Sequence, residues 1–413
     1  MLEVLAYTLL GVGLGTFTGL IPGVHVNNLA PLLVGVAAVS GLPPMNIVAA
    51  IVAMMMAHTI ISYIPATFLG APEPGTELSV LPAHRLLLEG RGYEVIRLTA
   101  FGCLGALMLS AALALPLSLV FAPAYMFIQP QMHLLLLAVI VVMIALERSR
   151  SGILWAMAIF LLSGLMGLFT LDTNLVRGDV ALLPLLSGLF GVSVLLLSAV
   201  RNSSLPKQNV DNSEPLEFRE NARALCAGTG AGVLTGIIPG IGPSQGTVLA
   251  QLVTRSSGTR EFLVGVSGVN TAKALFSFVA LYAIARPRSG AAVAVDQLVD
   301  KVGFNEMLFL IGVALVAGGI ATVLHLRLGR LAARHIGGLP YRGMCLTVIS
   351  GMAVMTFCYA GLLGLLILAT ATAIGVLPAV AKVKRTHCMG VIMLPCILYF
   401  AGLKDVVLSA FGL

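Results

Sequence analysis

Three stretches of the chain carry no Asp, Glu, Lys or Arg: Val4 to Pro72, Leu98 to Leu146 and Gly343 to Ala381. Uncharged runs this long cannot be buried in one soluble core. Each supplies two or more membrane spans, at about 20 residues per span. With the shorter apolar runs they predict spans at 2–21, 25–40, 46–70, 95–120, 124–146, 151–170 and 179–200. A second series follows at 223–240, 243–254, 261–285, 304–324, 343–359, 361–381 and 388–402. The polar, amphipathic stretches 72–94 and 286–303 predict arms lying in the membrane interface.

There are two series because the chain repeats. Residues 11–23 read GVGLGTFTGLIPG and residues 228–240 read GTGAGVLTGIIPG, identical at eight of thirteen positions at an offset of 217. The predicted organisation is a first membrane repeat over 1–200, a polar cytoplasmic linker over 201–222 and a second membrane repeat over 223–413. The linker holds Pro206, Pro215 and many Asn and Ser, the composition of a solvated connection. In each half the second span is short and directly follows Ile-Pro-Gly. Each half therefore opens with a helical hairpin or a broken helix.

Composition agrees with the pattern. The 413 residues are 58% hydrophobic and 10% charged, against about 25% charged in a soluble domain. The mean hydropathy is +1.02. These values exclude a soluble enzyme, a disordered chain and a disulfide scaffold. The six cysteines form no CxxC pair and act as small hydrophobes in or beside apolar runs. The N-terminus lacks a basic n-region and a small-residue cleavage site, and reads as a retained span. The net charge of +7 includes no basic helix interleaved with aromatics, so no nucleic-acid partner is implied.

The charges instead report orientation. Glu147-Arg148-Ser149-Arg150 in the first half matches the uncharged Tyr359 to Gly364 in the second. Arg327, Arg330, Arg334 and Arg342 match the uncharged Phe121 to His133. The positive-inside rule then requires the halves to be inverted. In that topology 18 Lys and Arg lie inside, 5 outside, and Lys273 within the membrane. The predicted fold class is an all-α polytopic membrane protein of two inverted-topology repeats, each opening with a hairpin or broken helix, with about ten further membrane crossings. Such repeats are the pattern of secondary transporters, whose site lies at the midplane. Here that places the site between the two Pro-Gly breaks.

Gly11, Gly15, Gly19 and Gly23 recur every four residues, as do Gly228, Gly232, Gly236 and Gly240. Such a stripe lets another backbone approach closely, and the earlier glycines read as helix packing. Gly19, Pro22, Gly236 and Pro239 read as helix-break positions, since Pro removes a donor and Gly relaxes the backbone. Irregular backbone at that depth is tolerated only inside protein or around a polar cavity. After the first break come Gly23, His25, Asn27 and Asn28. After the second come Gly240, Gly242, Ser244 and Gln245. Capping alone accounts for any one of the polar side chains. Five of them at two related breaks point to a binding site, and the new helix starts aim positive dipole ends there.

The next helices add His58, Thr59 and Ser62 in one half and Asn270, Thr271 and Lys273 in the other. His58 needs no role beyond bonding a neighbouring carbonyl. Lys273 lies thirteen residues from both Arg260 and Arg286, too deep to snorkel to either face. An ionisable group at that depth is a functional candidate, here for contact with an anion.

Gly-Leu-Ile-Pro-Gly at 19–23 and Gly-Ile-Ile-Pro-Gly-Ile-Gly-Pro at 236–243 resemble the TctA family, the large membrane subunit of tripartite tricarboxylate transporters, and in particular its shorter archaeal relatives. Pro74-Gly75-Thr76, then His84-Arg85 and Glu89-Gly90-Arg91-Gly92-Tyr93-Glu94, look like the family's Pro-Gly-Thr and its basic glycine arm. Asn270 falls where the second half carries a polar Asn segment. The resemblance implies uptake of a carboxylate, coupled to a sodium or proton gradient, with no other cofactor. It also implies a small membrane subunit and an extracytoplasmic binding protein as partners in the bilayer, and a homodimer is compatible with it. Pro74, Gly75 and Thr76 join the candidate substrate-binding residues on this ground.

Two other classes fit parts of the chain. Gly265-Val266-Ser267-Gly268 matches the GxSG of a rhomboid-like intramembrane protease, with His387 as its base. That reading leaves the repeat unexplained. A channel or lipid-handling protein on the same frame is the other alternative, since the site and not the fold decides function.

Overall fold

A backbone in lipid has to satisfy its own hydrogen bonds, so the apolar runs become helices. The structure is a computed structural model. It describes residues 2–21, 26–71, 75–76, 78–147, 149–173, 176, 178–200, 205–211, 216–238, 242–254, 258–337 and 341–411. Among these residues all regular structure is helical. The first half forms α1 (Leu2–Leu20), α2 (Val26–Ser40), α3 (Pro44–Ile61), α4 (Tyr63–Phe68), α5 (Val80–Leu88), α6 (Gly92–Ile128), α7 (Met132–Ala145), α8 (Arg150–Leu171), α9 (Gly178–Leu186) and α10 (Ser193–Val200). The second forms α11 (Phe218–Ile237), α12 (Pro243–Thr254), α13 (Thr259–Ile284), α14 (Gly290–Leu298), α15 (Phe304–Ile336), α16 (Tyr341–Ala381), α17 (Gly390–Phe400) and α18 (Lys404–Ala410).

Eight described helical runs are long and apolar enough to cross a membrane, or nine if the pair bent by 112° around residues 401–403 is one span. Two of the eight are longer than one crossing. Gly92–Ala145 has 54 residues and Arg342–Ala381 has 40, whereas about 20 suffice. Arg342–Ala381 divides where two spans are expected, and Gly92–Ala145 divides about eight residues beyond the expected junction at 121–123. A 3-10 turn at Gln129–Gln131 separates α6 from α7, and Gly361, at φ +62°, interrupts α16. The protein is a multi-pass membrane protein. A further boundary differs from expectation: α15 runs on past 324 to Ile336. Its arginines end the apolar run but are good helix formers, so charge marks the edge of the apolar zone and not the end of the helix.

The glycine stripes are packing seams. A Cβ on Gly11 or Gly15 would strike the carbonyl of Ala50 or Met54 on α3, and one on Gly19 would sit 3.1 Å from the His58 carbonyl. On α11, a Cβ on Gly228 or Gly232 would strike the carbonyl of Gly265 or Val269, and one on Gly236 would meet the Phe276 Cβ and stand 3.4 Å from the Lys273 carbonyl. In both copies the partner number rises with the glycine number, so α1 runs parallel to α3 and α11 parallel to α13. The chain must therefore travel back between them, over α2 in one copy and α12 in the other. Of the two readings, hairpin or broken helix, this connectivity is that of a hairpin.

The described residues pack as two compact units. One holds Met1–Tyr125, Ser204–Pro239 and Gly246–Leu339. The other holds Met126–Ser203, Gly240–Gln245 and Pro340–Leu413. Each unit draws on both sequence halves, so packing and repeat divide the chain differently. In the first unit α5 and α14 are amphipathic arms: Ala83, Leu86 and Leu87 of α5 and Ala291, Ala292 and Val295 of α14 are buried. Part of the linker also docks here. The Gln208 side chain accepts from Gly92 N at 2.8 Å and donates to Leu87 O at 3.0 Å, and Asn209 N donates to Gly90 O at 2.7 Å. Those residues were expected to be solvated. They are held because the turn after α5 exposes unpaired backbone groups.

Candidate functional site

At the first break, α1 ends at Leu20 and α2 begins at Val26. Pro22, Gly23 and His25 lie outside the described residues. Asn27 and Asn28 fall in the first turn of α2, and their side chains lie outside the description too. Gly19 is still helical, so the break follows it. Next to it, His58 Nδ1 is 3.0 Å from Thr18 Oγ1, a side-chain bond across the seam.

At the second break, α11 ends at Ile237, and Ile238 turns extended at ψ 117°. Gly236 is again helical, and Pro239 and Gly240 lie outside the described residues. Gly242 precedes Pro243, the first residue of α12, and the third residue is Gln245. Its Oε1 accepts from Gly242 N at 2.8 Å. That is half of a capping box, with Gln at the third helical position reaching back to the N-cap amide. Capping is thus part of this residue's role. The other end of the amide is not used: Gln245 is fully buried, and its Nε2 has no hydrogen-bond partner among the described residues. A buried, unpaired donor costs about 1–3 kcal/mol. Here it sits at a helix N-terminus, which already favours an anion. Ser244, one residue before, is also buried.

The arm brings distant motifs together. Gly75 has φ +108°, and a Cβ there would run into the side chain of Asn270. Only glycine suits both the backbone angle and the approach. Thr76 beside it is fully buried and Pro74 lies outside the described residues. Asn270 and Lys273 stand three apart on α13, which is helical throughout, so they share a face. Thr271 is fully buried, and Lys273 is half-buried in a helix that is otherwise closed over most of its length.

The glycine-arginine part of the arm is a corner. Gly90 takes φ +80°. Buried Glu94 receives Arg91 at 2.7 and 2.9 Å, and Arg260 from the start of α13 lies 3.1 Å away. Burial pushes His84 below its ordinary 6.5, so at neutral pH the arm's positive charge comes from its arginines. This motif pins the arm to α13, and carries the Gly75 turn with it.

The protease pair finds no support. Ser267 spends its hydroxyl on Leu263 O and Val264 O of its own helix, at 2.9 and 3.0 Å. His387 bonds Glu147 at 2.8 Å in the second unit. Sequence reasoning missed that second partnership and a neighbour, Arg385, which donates to Ser193 Oγ at 2.9 Å. Glu147 and Arg385 sit in loop charge clusters, which were read for orientation only. The described residues hold no group of three His, Cys, Asp or Glu placed to bind a metal ion.

Parallel glycine-seamed helix pairs and long apolar helices make this a multi-pass membrane protein. Residues 5–390 match the Tripartite tricarboxylate transporter TctA family, and the chain belongs to that family. It is also similar to a Methanocaldococcus jannaschii protein described as Uncharacterized protein MJ1079, with 27% identity over 405 residues, covering 96% of this chain and 98% of the relative. No solved structure matches the chain.

Proposed function

We propose that this membrane transporter component is the permease of a secondary active system for a small organic anion, a carboxylate, driven by a sodium or proton gradient. The groups assigned to anion recognition are, in the first unit, those of the first Pro-Gly break with Asn270 and Lys273, and, in the second unit, Ser244 and Gln245 of the second break. The junction of Gly75 with Asn270 supports this most. Two motifs 195 residues apart meet, and the lysine stands one turn further along the same helix. The spare Gln245 donor supports it independently. An ionisable group within a membrane span is a functional candidate, and an ammonium there suits an anionic substrate. The two halves have inverted topology in this proposal. A small membrane subunit and an extracytoplasmic binding protein complete the system.

The test is uptake by proteoliposomes holding the purified protein, with a panel of mono-, di- and tricarboxylates and imposed sodium or proton gradients. Gradient-driven accumulation of one carboxylate supports the proposal. Flux indifferent to any gradient would make the protein a channel, and no flux from monodisperse protein, with or without partner subunits, would remove the anion reading. Single cysteines at Arg150 and Arg334 should be labelled only from the cytoplasm and one at Arg288 only from outside. Labelling of the first two from opposite sides would end the inverted topology.

A further inference from the structure

The second unit holds a cluster of buried ionisable groups that the anion site does not use. Glu147, in the turn between α7 and α8, is 9% exposed and His387 is 1% exposed, with Nε2 and Oε1 2.8 Å apart. The same carboxylate oxygen accepts from Lys384 N at 3.1 Å. Ser163 of α8 donates to the His387 carbonyl at 3.3 Å, fixing the backbone that carries the ring. Arg385 is 9% exposed. It reaches Ser193 Oγ at 2.9 Å and the Phe190 carbonyl at 3.4 Å. Phe190 lies in a π-helical turn at Ser187–Val192, after Pro184 in α9. A π-turn shifts the hydrogen-bond ladder and leaves carbonyls available to such a donor.

Other charge around the ring is sparse. The Arg385–Met389 turn packs against α8, α16 and α17. From these, α8 brings Arg150, α16 ends just before Lys382, and α17 brings no charged residue. On its own segment the ring is flanked by Lys384, Arg385 and Cys388. With His387 neutral, buried Glu147 and Arg385 sum to zero. One added proton leaves the cluster net positive, a state that burial disfavours and a nearby anion offsets. Imidazole is the side chain whose ordinary titration spans about pH 5 to 8. The turn also reaches the second break: a Cβ on Gly242 would stand 3.9 Å from the Met389 methyl.

We propose that the Glu147–His387 pair is the proton-binding site of the transport cycle, linked through the Arg385–Met389 turn to the start of α12. It rests on the anion-transport reading and names its coupling ion. The neutral pair holds an imidazole N–H on the carboxylate. A proton arriving at the other ring nitrogen makes it an imidazolium–carboxylate pair, the added positive charge favours the anion, and release of the proton on the far side resets the pair.

The test compares His387→Gln and Glu147→Gln with wild type in two modes: accumulation driven by a pH gradient, and counterflow exchange at equal pH. Both variants should lose accumulation down to the level of protein-free vesicles, while counterflow, which needs no net proton movement, stays measurably above that level. Unchanged accumulation overturns the proposal. So does loss of both modes together in monodisperse protein, which would make the pair a structural link. If wild type moves no carboxylate in either mode, the transport reading fails on its own. The pair is then judged by ¹⁵N-histidine NMR of the intact protein. The signal missing from His387→Gln must titrate between about pH 5 and 8 in wild type and shift in Glu147→Gln. A signal flat across that range overturns the site.

Discussion

The two glycine-seamed helix pairs share a frame and differ in chemistry. Gly11, Gly15 and Gly19 lie on the backbone near Ala50, Met54 and His58, and Gly228, Gly232 and Gly236 lie on it near Gly265, Val269 and Lys273. Rung by rung, His58 corresponds to Lys273, Met55 to Asn270 and Met56 to Thr271. The threonine before each break does the same thing in both copies: Thr18 bonds Gly15 O and Thr235 bonds Gly232 O. The difference begins at the next layer. In the first copy the third rung is a histidine bonded to Thr18, among methionines. In the second it is a lysine one turn from an asparagine that faces the Gly75 turn. The seam is scaffold, common to both. The second copy is where polar side chains replace that apolar lining.

The comparison breaks most readily at the seam. Gly15→Val and Gly232→Val put a branched Cβ onto a backbone carbonyl that cannot move away, so each should cost more than about 3 kcal/mol and yield no monodisperse protein. Gly13→Val and Gly230→Val, whose Cβ positions meet nothing within 4 Å, should stay within about 0.5 kcal/mol of wild type. Size-exclusion profiles of the four variants decide it. Equal behaviour would mean the stripe is not a seam.

A smaller effect separates backbone strain from the arm contact. Gly41 has φ +64° and open space around it, whereas Gly75 has φ +108° and Asn270 against it. Gly41→Ala should lower stability by about 1 kcal/mol, the cost of the angle alone. Gly75→Ala should cost clearly more, and the excess should shrink in Gly75→Ala/Asn270→Ala. Thermal melts read this. Equal losses at the two glycines would leave the Gly75–Asn270 approach without energetic content.

Smallest in stability, but informative, is Gln245. Gln245→Ala removes the cap and should cost about 1 kcal/mol. Gln245→Glu keeps an acceptor for Gly242 N and suits the helix dipole, so the melt should stay near wild type. It removes the buried Nε2 donor, and uptake should fall. Wild-type uptake by Gln245→Glu would make the residue a cap and nothing more.

The helices were legible from the uncharged runs, because lipid leaves the backbone few alternatives. Residues 243–254 form α12 at the expected bounds. The glycine seam was legible from its spacing of four. The end of α15 was not, since Arg327, Arg330 and Arg334 stop the apolar run without stopping the helix. Nor was the docking of Gln208, which depends on the backbone groups of a turn 116 residues earlier. The Glu147–His387 pair spans 240 residues, and the sequence marked Glu147 only as a loop charge and His387 only as a partner for Ser267. The resemblance to Pro-Gly-Thr flagged Gly75, and the polar run in an apolar helix flagged Asn270. Their approach to each other is tertiary, and no local pattern encodes it.

The central claim is that the second copy, at the rung where the first carries a bonded histidine, holds the charge that meets the anion. Gradient-driven carboxylate uptake by Lys273→Met and His58→Gln, both checked as monodisperse, tests it most directly. Lys273→Met should abolish concentrative uptake. Lys273→Arg should rescue poorly, because a guanidinium is larger and forked. His58→Gln, which keeps a polar group for Thr18, should transport at a rate close to wild type. Wild-type uptake by Lys273→Met, with unchanged ion dependence, or equal loss in Lys273→Met and His58→Gln, would contradict the account.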